Sequence, residues 1–267
     1  MRRIINYSWI GKGAWIGKGL LTGMVIFAAA SCTKLDNYTG PKETLMGTII
    51  DSSTGQPLQN STGDLRLTAY ELSWGTTTGN TVTPEYFNIK SDGTFINTKV
   101  FKGKYRLYPT DGAFVPIVYT NSSGAQVDSG SDTVDVSGVK NVVFKVSPFL
   151  KVEWVGDPVL NADKTVTVSI KISRGTAVPD RIFNVTDIYL FISTTPYDGN
   201  GSFDSKLSNQ VSYSGTAGNL ILGQTVAISS KAALGASRPY YVRVGARTAD
   251  NVNKRYNYNV PRQVNVP

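Results

Sequence analysis

The sequence predicts an all-β protein with two consecutive β-sandwich domains after an N-terminal export signal. Short stretches of alternating apolar and polar residues recur along the chain, separated by turn residues, as expected of strands that bury one face. No segment after residue 31 shows a sustained helical repeat of apolar residues. Ser147-Pro148 interrupts the strand pattern, because proline fits poorly in a continuing central strand. These observations predict domains over residues 43–147 and 148–267.

Residues 1–31 have the composition of an export signal that ends at the chain's only cysteine. Four basic and no acidic residues accompany an apolar segment over residues 19–31, and small residues precede Cys32. A transmembrane anchor fits less well, since a spanning helix needs about 20 apolar residues. A secretory signal followed by a chance cysteine is the other alternative. The pattern predicts a bacterial lipoprotein that is acylated at Cys32.

The composition of the remaining chain narrows the chemistry. Without residues 1–31 there are 23 basic and 19 acidic side chains, with no long run of one sign, which argues against nucleic-acid binding. With no second cysteine the chain has no internal disulfide. Histidine is absent, which excludes Ser-His-Asp triads, Cys-His pairs and His-ligated zinc. Binding is therefore favoured over catalysis, and no cofactor is expected.

In the first predicted domain, a polar tether over residues 32–42 leads into seven or eight strands. Residues 65–70 alternate between apolar and polar side chains. Residues 91–93 (Ser-Asp-Gly) predict a tight turn, and residues 94–97 are expected to pair with the strand before it. Residues 121–130 are predicted to form a polar loop or hairpin tip.

The second predicted domain contains about seven strands. The clearest has Val166, Val168, Ile170 and Ile172 on one face and polar residues on the other. Residues 240–247 repeat this alternation near the end of the chain. Two facing sheets of this kind form a β-sandwich.

Residues 44–110 resemble carboxypeptidase-regulatory-like, or transthyretin-like, β-sandwich domains. The matching features are the opening TLMGTIIDSSTGQPL over residues 44–58, the turn SDGTF over residues 91–95, and the strand FKGKYRL over residues 101–107. The resemblance implies that these turns are structural and that the domain binds or scaffolds.

Most of the chain after Cys32 resembles a family of Bacteroidota outer-membrane lipoproteins of unknown function. The resemblance rests on YELSW over residues 70–74, DGAFVP over residues 111–116 and RPYYVRVGAR over residues 238–247. The last motif is also similar to a strand of fibronectin type III and immunoglobulin-like sandwiches. The resemblance implies an outer-membrane address. The cell surface is favoured, and the periplasmic face stays the alternative because Thr33-Lys34 follows the cysteine where surface-exported members often have acidic residues. The resemblance also implies association with a SusC/SusD-like transporter complex of a polysaccharide-utilisation locus, and it supplies no catalytic residues.

Six aromatic residues are candidates for stacking against the apolar faces of sugar rings. They lie in predicted loops or on polar strand faces: Tyr70, Trp74, Tyr86, Tyr108, Tyr197 and Phe203. The alternative for each is packing in a core or a domain seam. Trp154 follows Lys151 and Glu153 on an alternating strand, which predicts a core position.

One loop has a weak likeness to a calcium site. Asp198, Asn200, Ser202 and Asp204 place oxygen side chains at alternate positions. Phe203 stands where an EF-hand has glycine, and no glutamate closes the loop. A Gly-rich connection is therefore preferred, and no metal is expected.

Two further motifs bear on modification and hydrolysis. Thr133 follows Asp132 and precedes Val134, which matches the O-glycosylation pattern of exported Bacteroidota proteins. A glycoside hydrolase would need two converging carboxylates, and no spacing singles out a pair. The available acids are Glu71, Glu85, Asp111 and Glu153.

The sequence therefore predicts a lipid-anchored, non-catalytic accessory protein of a polysaccharide-utilisation system, which binds glycan or acts as a scaffold. The alternative is a structural spacer that binds protein partners without a glycan site. A glycoside hydrolase with an Asp/Glu pair is the third hypothesis.

Overall fold

Eighteen strands in five sheets make up most of the regular structure in the described part of the chain. The computed structural model describes four stretches, residues 39–73, 82–121, 123–196 and 199–267. The predicted all-β fold with two successive sandwiches is confirmed. Residues 41–267 form one compact unit. Among the described residues, no helix has the length and apolarity needed to cross a bilayer.

The first sandwich contains nine strands. They are β1 (Glu43–Asp51), β2 (Arg66–Glu71), β3 (Glu85–Asn88), β4 (Thr94–Val100), β5 (Gly103–Thr110), β6 (Val118–Thr120), β7 (Gln126–Asp128), β8 (Asp132–Val136) and β9 (Val139–Val146). One sheet has the order β4-β1-β9 and the facing sheet has the order β3-β2-β5-β8. β6 and β7 form a separate hairpin, as predicted for the polar stretch around them.

Alternation along the strands explains the first core. In β1, for example, Leu45 and Ile49 are fully buried while the residues between them are partly exposed, apart from the buried Gly47. Leu67 and Leu107 supply the same inward face on the opposite sheet. Each sheet therefore contributes one apolar face to the layer between them.

The turn at residues 91–93 forms, but the predicted pairing after it is wrong. Gly93 has a φ of 79°, which glycine adopts without steric cost, and the Lys90 amide donates to the Thr94 carbonyl at 2.8 Å. β3 then pairs with β2, whereas β4 crosses to the other sheet and pairs with β1. The Ile49 amide of β1 already donates to the Gly93 carbonyl at 2.9 Å, which draws the chain to that sheet.

The second sandwich also contains nine strands, two more than expected. They are β10 (Leu150–Trp154), β11 (Val159–Leu160), β12 (Val166–Arg174), β13 (Val185–Ser193), β14 (Asn209–Ser212), β15 (Thr225–Ser229), β16 (Pro239–Thr248), β17 (Tyr256–Tyr258) and β18 (Arg262–Asn265). One sheet has the order β10-β12-β11 with β15 also on β12. The other has the order β14-β13-β16-β17 with β18 also on β16. Two short 3₁₀ turns, Pro179–Arg181 and Ala217–Ile221, lie in connections.

A seam of hydrogen bonds joins the two sandwiches. The buried Asn257 accepts from the Leu150 amide at 3.0 Å and donates to the Ala113 carbonyl at 2.8 Å. Arg255 forms an ion pair with Asp64 at 2.8 Å across the same seam. Because Asn257 completes backbone hydrogen bonds on both sides while buried, the seam resists opening.

Candidate functional site

Three of the six aromatic candidates lie together on the outer surface of sheet β3-β2-β5-β8. Tyr86 and Tyr108 are the register partners of Thr68 on its two sides. Tyr70 is the next outward residue of β2, and its ring lies 6.2 Å from that of Tyr108 at an interplanar angle of 21°. Tyr70, Tyr86 and Tyr108 are called the tyrosine face below.

These rings lie on the outer surface because successive side chains of a strand point to opposite faces of the sheet. Leu67, Ala69 and Leu107 are fully buried in the first core, so their sequence neighbours point to the opposite surface. Tyr86 is 50% exposed, whereas Thr68 between the rings is 2% exposed and is therefore covered by its neighbours. The result is a patch of aromatic surface that is open to solvent.

Arg66 fixes one end of the tyrosine face. Its guanidinium lies 4.3 Å from the ring centroid of Tyr86 and also forms an ion pair with Asp111. Asp111 has a φ of 70°, a left-handed conformation that aspartate tolerates better than most residues. The carboxylate therefore holds the arginine over one side of the ring.

Arg106 has the same relation to the second ring. Its guanidinium lies 5.6 Å from the Tyr108 centroid and pairs with Asp128 at 2.8 Å. The Ser131 hydroxyl and amide, followed by Arg106, hold the pKa of Asp128 well below its usual range. Burial and then the hydrogen bond with Tyr70 raise the pKa of Tyr108 above its usual value.

A pocket of about 370 Å³ adjoins the tyrosine face at the seam and is called the seam pocket below. Tyr108 belongs to both, so the two surfaces are continuous. Its polar and aromatic lining includes Tyr108, Asp111 and Tyr119 from the first sandwich and Arg181, Asn251 and Asn253 from the second. This volume is at the lower end of the range for ligand pockets, about 300–1,000 Å³.

One wall of the seam pocket is a rigid loop. The buried Asp250 accepts hydrogen bonds from the amides of Val252, Asn253 and Lys254, each at 3.0 Å. Lys254 completes the turn with a φ of 52°. The side chains of Asn251 and Asn253 form no hydrogen bond within the described part of the chain, so their amides remain available to a ligand.

Among the remaining candidates, Phe203 does not join the tyrosine face. Phe203 packs edge-on against Tyr189 at 5.3 Å and Phe191 at 5.4 Å in the second sandwich. Trp74 and Tyr197, like the lipidation position Cys32, lie outside the described residues.

Trp154 is half-buried against the second core, and its indole N–H donates to the Val260 carbonyl at 2.8 Å. This agrees in part with the predicted core position.

The loop with alternating oxygens is held by its own backbone. Gly199 and Ser202 exchange amide-to-carbonyl hydrogen bonds at 3.1 and 3.0 Å, and the Asn200 amide donates to the Tyr258 hydroxyl at 3.1 Å. The Asp204 carboxylate accepts from the Lys206 amide, and Asp198 lies outside the described residues. The described ranges hold no cluster of three acidic, histidine or cysteine side chains that could bind a metal.

The acids considered for hydrolysis have separate environments. Asp111 is paired with Arg66, Glu71 accepts from the Ser73 amide at 2.9 Å, and Glu153 lies on β10 in the second sandwich. Glu85 is exposed at the start of β3, opposite Ala69. Thr133 is exposed on the edge strand β8, opposite Arg106 in the register, so its hydroxyl is accessible to modification.

Sequence reasoning did not find the seam pocket. Tyr119 and Arg181 belong to different sandwiches, yet the guanidinium lies 4.7 Å from the ring centroid. The one local signal was Asp250 followed by two asparagines, a pattern typical of a hydrogen-bonded turn.

Comparisons with known proteins identify relatives but no activity. A family model described as protein of unknown function (DUF3823) N-terminal domain matches residues 43–147. Among the curated proteins, none matches the chain significantly.

Three solved structures each match 85% of this chain over the whole of their own length. A DUF3823 family protein from Bacteroides uniformis is 31% identical with a TM-score of 0.76. A second protein from Bacteroides uniformis, described as a "putative carbohydrate binding protein", is 21% identical with a TM-score of 0.65. A DUF3823 family protein from Parabacteroides merdae is 19% identical with a TM-score of 0.61. The chain therefore belongs to the DUF3823 family, whose function is unknown.

Proposed function

We propose that the protein is a non-catalytic carbohydrate-binding protein whose glycan lies along the tyrosine face. The observation that carries this is the grouping of Tyr70, Tyr86 and Tyr108 on an open sheet surface. Flat rings pack against the apolar faces of pyranoses, and they lose little conformational entropy on binding. Arg66 and Arg106 lie beside the rings and supply hydrogen-bond donors for sugar hydroxyls.

The description of one structural relative as a "putative carbohydrate binding protein" supports the same proposal. At 21% identity that relative supports a shared fold, and its binding property is carried to this chain only as a hypothesis.

Affinity electrophoresis and calorimetry against a panel of neutral and acidic polysaccharides test the proposal. We expect at least one polysaccharide to bind the wild type and to lose most of its affinity in a Tyr86→Ala/Tyr108→Ala variant. Tyr241→Ala is the matched control, because Tyr241 is a half-buried outward tyrosine on β16 away from the site. Binding that is equal in both variants would exclude the tyrosine face, and no binding to any polysaccharide would exclude the function.

In the cell, we propose that Cys32 carries the lipid and holds the protein on the outer membrane, facing the cell surface, beside a SusC/SusD-like transporter complex. The basic and apolar composition of residues 1–31 before the single cysteine supports the lipid anchor. The outer-membrane address and the transporter partner rest on the resemblance to Bacteroidota lipoproteins. Cys32→Ala should release the protein in soluble form. Protease treatment of intact cells checks the membrane face, and co-purification checks the transporter partner.

A scaffolding role is the second candidate function. The outer face of sheet β4-β1-β9 exposes Ile96, Val139 and Val143, which gives a protein partner apolar side chains to contact. If Ile96→Lys/Val143→Lys abolishes recovery of the transporter complex while polysaccharide binding is unchanged, the protein has both roles.

A further inference from the structure

The seam pocket is lined by one charged side chain of each sign, and only the acidic one has an ion-pair partner. Asp111 and Arg181 are its acidic and basic residues, and Asp111 forms an ion pair with Arg66. No carboxylate in the described part of the chain lies within ion-pair distance of Arg181. Arg181 therefore stands in the pocket without an ion-pair partner among the described residues.

Arg181 is held in a geometry suited to an anion. Its guanidinium lies over the Tyr119 ring, 4.7 Å from the centroid. A guanidinium keeps its N–H donors in one plane and can bind a carboxylate with two parallel hydrogen bonds. The short turn Pro179–Arg181 and the β6–β7 hairpin position the two partners from opposite sandwiches.

The neutral groups of the seam pocket fit sugar hydroxyls. Asn251 and Asn253 stand on the loop that Asp250 fixes, with amide donors and acceptors uncommitted within the described residues. Tyr108 gives the pocket an aromatic wall that continues into the tyrosine face. A volume of about 370 Å³ limits the occupant to a small part of a polymer, and the rest of the chain would follow the rings outward.

We propose that the seam pocket binds an acidic sugar residue of the glycan, with its carboxylate on Arg181 and its hydroxyls on Asn251 and Asn253. The inference rests on the proposed carbohydrate-binding function, and it narrows the ligand to polysaccharides that contain uronic acids. The tyrosine face supplies contact area, and Arg181 supplies the preference for an acid.

The experiment uses matched pairs of polymers. Polygalacturonate, alginate and hyaluronan are each compared with the same polymer after reduction of its carboxyl groups. Calorimetry is carried out on the wild-type protein, on Arg181→Gln and on Arg238→Gln. Arg238 is the matched control because its guanidinium covers the ring of Tyr240 at 5.1 Å, away from the seam pocket.

We expect the wild type to bind at least one acidic polymer about tenfold or more tightly than its reduced form, which corresponds to about 1.4 kcal/mol. This preference should disappear in Arg181→Gln, persist in Arg238→Gln and weaken as salt screens the charge pair. Dextran sulfate tests whether charge alone suffices. Equal binding of dextran sulfate and the uronic-acid polymer would overturn the carboxylate assignment.

Other outcomes separate the two proposals. If neutral polymers bind as well as acidic ones, and this binding depends on Tyr86, the inference is wrong and the carbohydrate-binding function stands. If Arg181→Gln keeps the acid preference, the pocket assignment is wrong. If no polymer binds, the proposed function fails and the inference fails with it.

Discussion

Each sandwich has two tyrosines flanking one small residue on an outer sheet surface, but only one of these rows is open. In the tyrosine face the small residue is Thr68. In the second sandwich Gly245 separates Tyr189 from Tyr258 in the same way. Arginine side chains lie beside the rings in both rows. The two surfaces therefore contain the same kinds of side chain and differ mainly in how far those side chains are buried.

The second row is closed by packing from above. A Cβ atom on Gly245 would lie 3.0 Å from the rings of Phe191, Tyr256 and Tyr258, so the absence of a side chain lets these rings settle on the sheet. Phe203 then packs over Phe191. Phe191 is fully buried as a result, whereas half of Tyr86 is exposed. The covering segment, rather than the strand pattern, decides whether an aromatic row stabilises the fold or can receive a ligand.

The largest expected effect comes from truncating the closed row. Phe191→Ala removes a fully buried ring and should lower the free energy of unfolding by about 3–5 kcal/mol. Polysaccharide binding at 10 °C, where the variant stays folded, should be unchanged. Urea unfolding and affinity electrophoresis measure the two quantities. A variant that loses affinity but keeps its stability would reverse the roles assigned to the rows.

Asp187 should make the closed row sensitive to acid. Burial acts to raise the pKa of Asp187, but hydrogen bonds from Tyr256, Arg247 and Gln210 outweigh it and leave that pKa below its usual value. The stabilisation is therefore present above the pKa of the unfolded chain, near 4, and is lost as the pH falls through the lower pKa of the folded state.

We expect Asp187→Asn to lose about 2 kcal/mol of stability at neutral pH, since hydrogen bonds to a charged group are removed. Its unfolding free energy should also fall less steeply than that of the wild type below pH 4. Denaturant titrations across this pH range test the slope, with the exposed Asp132→Asn as the control. Parallel pH curves for wild type and Asp187→Asn would contradict the assignment.

On the open row the effect should fall on affinity instead. Tyr86→Ala is expected to weaken polysaccharide binding about tenfold, while the free energy of unfolding changes by less than about 1 kcal/mol. Tyr86→Phe keeps the ring and should retain most of the affinity. Calorimetry and urea unfolding distinguish a binding ring from a structural one, and a large loss of stability in Tyr86→Ala would count against the open row.

The smallest effect is expected at Arg66. Arg66→Lys keeps the charge beside Asp111 but replaces the planar group over Tyr86. An exposed cation–π contact contributes about 0.5–1 kcal/mol, so affinity should change by about twofold to fivefold. A loss as large as that of Tyr86→Ala would mean that the guanidinium of Arg66 contributes as much to sugar binding as the Tyr86 ring.

The sequence predicts the strands well because alternation is a local property. The inward positions of Leu67 and Leu107 follow directly from the pattern of their own strands. The partner of β4 was predicted wrongly, because alternation says which face is buried but not which strand lies alongside. The grouping of Tyr70, Tyr86 and Tyr108 depends on two registers between strands, β2 with β3 and β2 with β5, which local sequence does not encode.

The aromatic candidates show the same limit. Tyr86 and Phe203 both stand among polar residues in the sequence, and one is exposed whereas the other packs on Phe191. The seam pocket is harder still to predict from the sequence, because Tyr119 and Arg181 come into contact only when both sandwiches are folded.

Asn251 and Asn253 belong to the second sandwich, whereas Tyr108 and Tyr119 belong to the first, so the seam pocket has all its walls only while the two sandwiches are packed together. The buried Asn257 lies at that junction and bonds to the backbone of Leu150 and Ala113. Loosening the junction would therefore change the pocket without altering any residue that lines it.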